Sequence, residues 1–190
     1  MYYDEAYKET MNLEGGYANS KDDKGGETYC GIARNFHPSW EGWEFIDNIK
    51  LSQNINNGKY FPELESKVKK FYKICFWDVF KGDKIHDKAI AMELFDTSVN
   101  MGHKTGVCFM QRGMNVLNLD AKIWEDMECD GIVGPKTLRS FNIIRNYYPR
   151  KLKVLLKIMN CLQGAKYVAI AEKNQTQEVW MVNWFGRVSI

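Results

Sequence analysis

The chain has 190 residues, 45% of them hydrophobic and 14% aromatic, the composition of a folded chain and not of a disordered one. Such a length buries one core or two small ones. A formal net charge of +2, with Lys and Arg interleaved among Asp and Glu, leaves no basic stripe for a phosphate backbone and excludes nucleic acid as a partner.

Asp4, Glu5 and Glu9 stand in an N-terminus with no basic start and no continuous apolar run, so a secretory signal is not expected there. No stretch reads as long enough to span a bilayer, and no integral membrane segment is expected. Tyr3, Ala6, Tyr7 and Met11 share one face at helical spacing, and Gly15-Gly16 is where that helix stops, which puts Glu14 in its last turn. Residues 18–34 are polar and glycine-rich and then turn apolar through Tyr29, Cys30, Gly31 and Ile32, which predicts a loop running into a short strand or hairpin.

From Pro62 onward, Leu64, Val68, Phe71, Cys75 and Val79 predict a helix with proline in its first turn. Ile90, Leu94, Phe95 and Val99 form the face of the next. Val107, Met110, Met114 and Leu117 give another after the Gly102 break. Pro135 opens a further helix with Leu138, Phe141 and Ile144, and a long one runs from Pro149 to about Lys173. The five cysteines (Cys30, Cys75, Cys108, Cys129 and Cys161) are scattered without Cys-x-x-Cys spacing, which fits free thiols. His37, His86 and His103 lack ligand spacing, so no metal site is expected.

The chemistry concentrates near Glu14, which is followed by Gly15, Gly16 and Tyr17 and then by Asp23, Gly25, Gly26 and Thr28. Splitting a glycosidic bond requires a proton donor at the leaving oxygen, and a glutamate kept neutral by aromatic walls can supply it. Tyr17, Trp40 and Trp43 are candidate walls. Asp23, on a polar loop, stays ionised and stabilises the oxocarbenium-like transition state or holds a water that the Thr28 hydroxyl positions. Read without neighbours, Glu14 is a helix-terminal surface residue, Asp23 a turn former and Thr28 a strand start.

Glu14-Gly15-Gly16-Tyr17, Asp23-x-Gly25-Gly26-x-Thr28 and Gly31-Ile32 together resemble the pattern of glycoside hydrolase family 108, the lysozyme-like, secretion-activating family. The likeness continues through Asp96-Thr97-Ser98-Val99-Asn100, Gln111 and Asn115 to Trp184-Phe185-Gly186-Arg187, and so covers nearly the whole chain. It implies cleavage between N-acetylmuramic acid and N-acetylglucosamine with Glu14 as the catalytic acid. It is also similar to phage lysozymes with a Glu, Asp, Thr constellation, in which eight residues separate acid and aspartate, as eight separate Glu14 from Asp23 here. Lys24, Glu27 and Cys30 depart from the family pattern, and Glu27 puts a further negative charge near the site.

Asp96 and Asn100, four apart on one helix, read as a hydrogen-bonded clamp, with contact to substrate as the alternative. Asp130-Gly131-Ile132-Val133-Gly134-Pro135 resembles a motif of peptidoglycan-binding helical modules; physically it is a turn leading into a helix. Trp180, Trp184 and Phe185 read as an aromatic cluster closing a small core.

The expected fold is mainly α and lysozyme-like, with a short β-hairpin after the catalytic helix. Residues 1–95 are expected to form the catalytic lobe and residues 96–190 a helical lobe resembling a peptidoglycan-binding module, closely packed on the first. The expected function is a peptidoglycan muramidase that needs no cofactor, with Glu14, Asp23 and Thr28 catalytic and Tyr17, Asp96 and Asn100 against substrate. A lytic transglycosylase and a non-catalytic wall-binding protein are the alternatives. The chain is expected to be made in the cytoplasm and to act on the wall after release or export, as a phage or prophage endolysin or a secretion helper.

Overall fold

The computed structural model describes residues 2–11, 15–19 and 25–189. These form a mainly α, lysozyme-like fold with one small antiparallel sheet. Tyr7–Cys75 make one compact unit, and Met1–Ala6 with Phe76–Ile190 make the other.

The first unit takes in the end of α1 (Tyr3–Met11), then β1 (Tyr17–Ala18), β2 (Thr28–Tyr29), β3 (Ile32–Ala33), α2 (Gly42–Lys50) and α3 (Glu65–Tyr72). The sheet has the order β1-β2-β3, with Tyr17 opposite Tyr29 and Thr28 opposite Ala33. It is a strand richer than the expected hairpin. Cys30 and Gly31, read from sequence as part of the apolar run, are instead the turn between β2 and β3, with φ of 45° and 75°. Positive φ at both positions is what a type I′ two-residue hairpin turn requires, and it is strained for a cysteine.

Tyr29 organises the core. Its ring stacks on Trp40 at 5.9 Å, and its hydroxyl donates to the Phe61 carbonyl at 3.1 Å while accepting from the Phe61 amide at 2.8 Å. Tyr72 donates to the Cys30 carbonyl at 2.9 Å and so ties α3 to the hairpin turn. Helix α2, not among the elements expected from sequence, buries Trp43 and Ile46 at i, i+3 spacing. Its Gly42 is required because a Cβ there would lie 2.2 Å from the Trp40 ring.

The helix expected from Pro62 to Val79 is broken up. Pro62–Leu64 form a 3-10 turn, α3 ends at Tyr72 and Lys73–Trp77 widen into a π turn. A π turn inserts one residue into the helical period, so the buried series steps from Tyr72 to Trp77 and then Phe80. Val79, expected on the apolar face, is 44% exposed as a result.

The second unit holds α4 (Lys88–Met101), α5 (His103–Asn115), α6 (Pro135–Tyr147), α7 (Pro149–Lys173) and the short α8 (Met181–Phe185). Asp87 caps α4 by accepting from the Ile90 amide at 3.0 Å. Ile90, Leu94 and Phe95 of α4, Val107, Met110 and Met114 of α5, Phe141 and Ile144 of α6, and Leu155 and Met159 of α7 are all fully buried. α4 packs on α5 and α7, so the boundary drawn from sequence at residues 95 and 96 falls inside a helix of this unit, whereas the compact units divide at Phe76. Gly113 lets α5 and α7 approach, since a Cβ there would sit 2.6 Å from Leu155 Cδ1.

At 25 residues α7 is long and apolar enough to cross a membrane by length and composition, contrary to the expectation that no stretch is. Its buried face nevertheless carries Asn160 and Gln163, and it packs against α4, α5 and α6. Those are the properties of the central helix of a bundle. Trp184 stacks on Tyr167 at 5.0 Å and Phe185 lies 6.4 Å from the same ring, while Trp180 is 51% exposed.

Candidate active site

Glu14 and Asp23 lie outside the described residues. The residues that follow each of them in the chain are held by backbone hydrogen bonds. Gly16 is wedged against Gly58 and Lys59, where a Cβ would meet the Lys59 carbonyl oxygen at 2.4 Å. The Gly16 carbonyl accepts from the Cys30 amide at 3.2 Å. The Tyr17 amide donates to Lys59 O at 2.8 Å, and the Tyr17 carbonyl accepts from Gly58 N at 2.7 Å. Backbone two residues beyond Glu14 is thus held by the sheet on one side and by the 58–59 segment on the other. Beside Gly15, by contrast, a Cβ would meet nothing within 4 Å.

The residues after Asp23 are held in the same way. The Asn35 amide donates to Gly25 O at 3.1 Å and the Arg34 amide to Glu27 O at 2.7 Å. Gly26 has a φ of +67° and is covered by the Asn35 side chain. Thr28, on the central strand β2, turns its hydroxyl to donate to Gly26 O at 3.2 Å. That bond uses the hydroxyl hydrogen and leaves the oxygen lone pairs as acceptors.

Beneath this frame runs a charge network that the sequence reading missed. Glu27, with a side chain only 9% exposed, pairs with Arg34 Nε at 2.7 Å and with the Lys50 ammonium. Arg34 in turn makes a two-pronged pair with Asp47, at 3.0 and 2.7 Å, and lies 4.4 Å over the Trp43 ring. Glu27 is therefore a neutralised anchor and not the loose second negative charge expected near the site. Tyr17, 3% exposed, is part of the same network. Its hydroxyl is pushed above the ordinary tyrosine range first by burial and then by the Glu27 carboxylate, opposed by Lys50. Trp40 and Trp43, expected as cleft walls, are 7% and 3% exposed and belong mainly to the core.

Asp96 and Asn100 lie in the other unit. Asp96 Oδ1 accepts from Arg187 at 2.8 Å and from Asn100 Nδ2 at 3.2 Å, and Oδ2 accepts from Gln163 at 2.9 Å. Asn100 also donates to the Asp96 carbonyl at 2.7 Å. These bonds fasten α4 to α7 and to the C-terminal segment. One turn away, buried Glu93 accepts from the Thr97 hydroxyl at 3.1 Å, and burial raises its pKa from 4.5 to about 7. Gln111, 1% exposed, donates to Asp130 Oδ1 at 2.8 Å and Ile132 O at 3.1 Å and accepts from the Gly131 amide at 3.0 Å. The turn singled out in sequence is thereby bolted to α5. Among the described residues no cluster of three or more His, Cys, Asp or Glu is placed to hold a metal ion.

A mainly α chain with one small antiparallel sheet has the fold of a lysozyme-like protein. Residues 7–102 match the glycosyl hydrolase 108 family, and the chain belongs to that family. Residues 105–189 match a second family, described as a predicted peptidoglycan domain, and the two matched regions meet at the Gly102 break between α4 and α5. Together they make this a glycoside hydrolase that acts on peptidoglycan. The solved structure titled "Structure of Brucella abortus SagA" is similar in fold, with a TM-score of 0.56 and 19% identity, over 98% of this chain and 92% of that one. None of the curated proteins matches the chain.

Proposed function

We propose that the protein is an N-acetylmuramidase in which Glu14 is the general acid. Glu14 protonates the glycosidic oxygen as the bond to the muramic acid anomeric carbon breaks. Asp23, ionised, stabilises the positive charge that develops on the ring. A water that donates one hydrogen bond to the Thr28 oxygen adds to the anomeric carbon and gives its other proton to the Asp23 carboxylate, leaving a free reducing end. The observation that supports this is the double anchoring of Gly16–Tyr17 and Gly25–Thr28, the backbone flanking both carboxylates, because a catalytic pair must be held to a fraction of an ångström. No cofactor enters the scheme. Tyr17 acts through the frame, as a positioning residue, and Asp96 and Asn100 act through the α4–α7 clamp. The chain reaches the wall after release or export, as an endolysin or a secretion-associated enzyme.

The test is turbidity clearing of purified sacculi by wild type and Glu14→Gln, with mass spectrometry of the products. Loss of clearing by about 10³-fold and reducing muramic acid ends in the wild-type digest are expected. Anhydro ends would make the protein a lytic transglycosylase, and identical clearing by the variant would remove Glu14 from the chemistry.

A further inference from the structure

The Tyr7–Cys75 unit contains a cavity of about 330 Å³ lined by His37, Trp40 and Glu41 and by Lys67, Lys70 and Phe71 of α3. A volume near 300 Å³ is at the lower end for a small-ligand site and suits one or two amino-acid residues. Its apolar part is aromatic and rigid. Trp40 is locked edge-on to Trp43 at 5.0 Å, and Phe71 meets the His37 ring edge-on at 4.7 Å.

Its polar part is cationic. Lys67 and Lys70 share one carboxylate, reaching Glu41 at 3.3 and 3.2 Å. Those bonds hold Glu41 below the usual carboxylate range, Lys70 first and then Lys67. Two ammonium groups on one carboxylate leave a net positive charge at the rim. Within the same unit, Trp40 of the cavity wall stacks on Tyr29, the β2 residue that follows Thr28.

A neutral sugar gives the lysines nothing to pair with, and a bare phosphate leaves the aromatic surface unused. An acidic peptide rich in small apolar side chains satisfies both halves. We propose that this cavity binds the peptide stem of peptidoglycan, with alanine methyl groups on Trp40 and Phe71 and a stem carboxylate on Lys67 and Lys70. The assignment rests on the peptidoglycan-hydrolase reading and adds to it the source of substrate preference: the stem, not only the glycan, is read by the catalytic unit.

Calorimetric titration of the full chain carrying Glu14→Gln with a free stem tetrapeptide, and with the same peptide amidated at its carboxylates, tests this directly. The free acid is expected to bind at least tenfold tighter than the amidated form, and Lys70→Ala to weaken it about tenfold. Glu41→Gln, which releases both lysines, is expected to tighten it severalfold, an effect that a purely structural ion pair does not produce. In the active chain, Lys67→Ala/Lys70→Ala is expected to lower the kcat/KM ratio for intact over amidase-stripped glycan about tenfold. Equal binding of acid and amidated peptide, weaker binding by Glu41→Gln, or displacement by equimolar inorganic phosphate would overturn the proposal. Stem binding that follows the expected pattern in a chain that cleaves no glycan would support the cavity and sink the hydrolase reading instead.

Discussion

Replacing Glu93 by glutamine probes a cost stored in the helical unit. Glu93 is 8% exposed, and its carboxyl titrates near 7 instead of 4.5, chiefly because burial disfavours the charged form. Asp96 raises it further, whereas the Thr97 hydroxyl and Asn160 work in the opposite direction. A folded-state pKa above the unfolded value means that the native state keeps its proton longer. The contribution of Glu93 to stability is therefore greatest below pH 4.5, falls as pH rises toward 7 and is level beyond. At 1.36 kcal/mol per tenfold change, the full loss is about 3 kcal/mol. Glu93→Gln keeps the shape and an acceptor for Thr97 but cannot ionise. It is expected to exceed wild type by about 2–3 kcal/mol at pH 8 and to lie within about 1 kcal/mol of it at pH 4. Urea denaturation of both proteins between those pH values measures the gap. A gap that stays constant with pH would show that Glu93 ionises without cost and would refute the reasoning.

Thr28→Val keeps the shape of the central strand and removes the hydroxyl that donates to Gly26 O. A stability loss of about 1 kcal/mol is expected together with a drop in kcat of about tenfold or more at unchanged KM, read from initial rates on solubilised glycan. Gly16→Ala drives a methyl into the Lys59 carbonyl, so a destabilisation above about 2 kcal/mol and loss of clearing are expected by thermal melt and turbidity. A variant with wild-type melting would show that the 58–59 segment yields and does not fix the site.

The helices of the second unit were legible because their signals are local. Apolar residues recur at i, i+3, i+4, and Pro135 and Pro149 mark where α6 and α7 begin. The sheet was legible only as a hairpin, since strands of two residues are too short to show alternation. α2 escaped notice because its Trp43 was read as a cleft wall, and an aromatic residue serves a core or a sugar equally well by sequence. The π turn at Lys73–Trp77 has no sequence marker, and it displaced Val79 from its expected face. Of the candidate site, Thr28 and Tyr17 stand out in the sequence by their nearness to Glu14. The Glu27–Arg34–Asp47–Lys50 network was not, because ion pairs across 7 to 23 positions leave no periodic trace.

The Gln111 clamp bears on how the C-terminal half meets the cell wall. Its carboxamide satisfies the Gly131 amide, the Ile132 carbonyl and the Asp130 carboxylate at once. The Gly131 amide and the Ile132 carbonyl of this turn are thus engaged by the protein's own side chain, while the Ile132 side chain itself stays 58% exposed. A grip that residues 105–189 exert on the sacculus would therefore have to use outward-facing side chains and not the backbone of the turn, and scanning those side chains would map it.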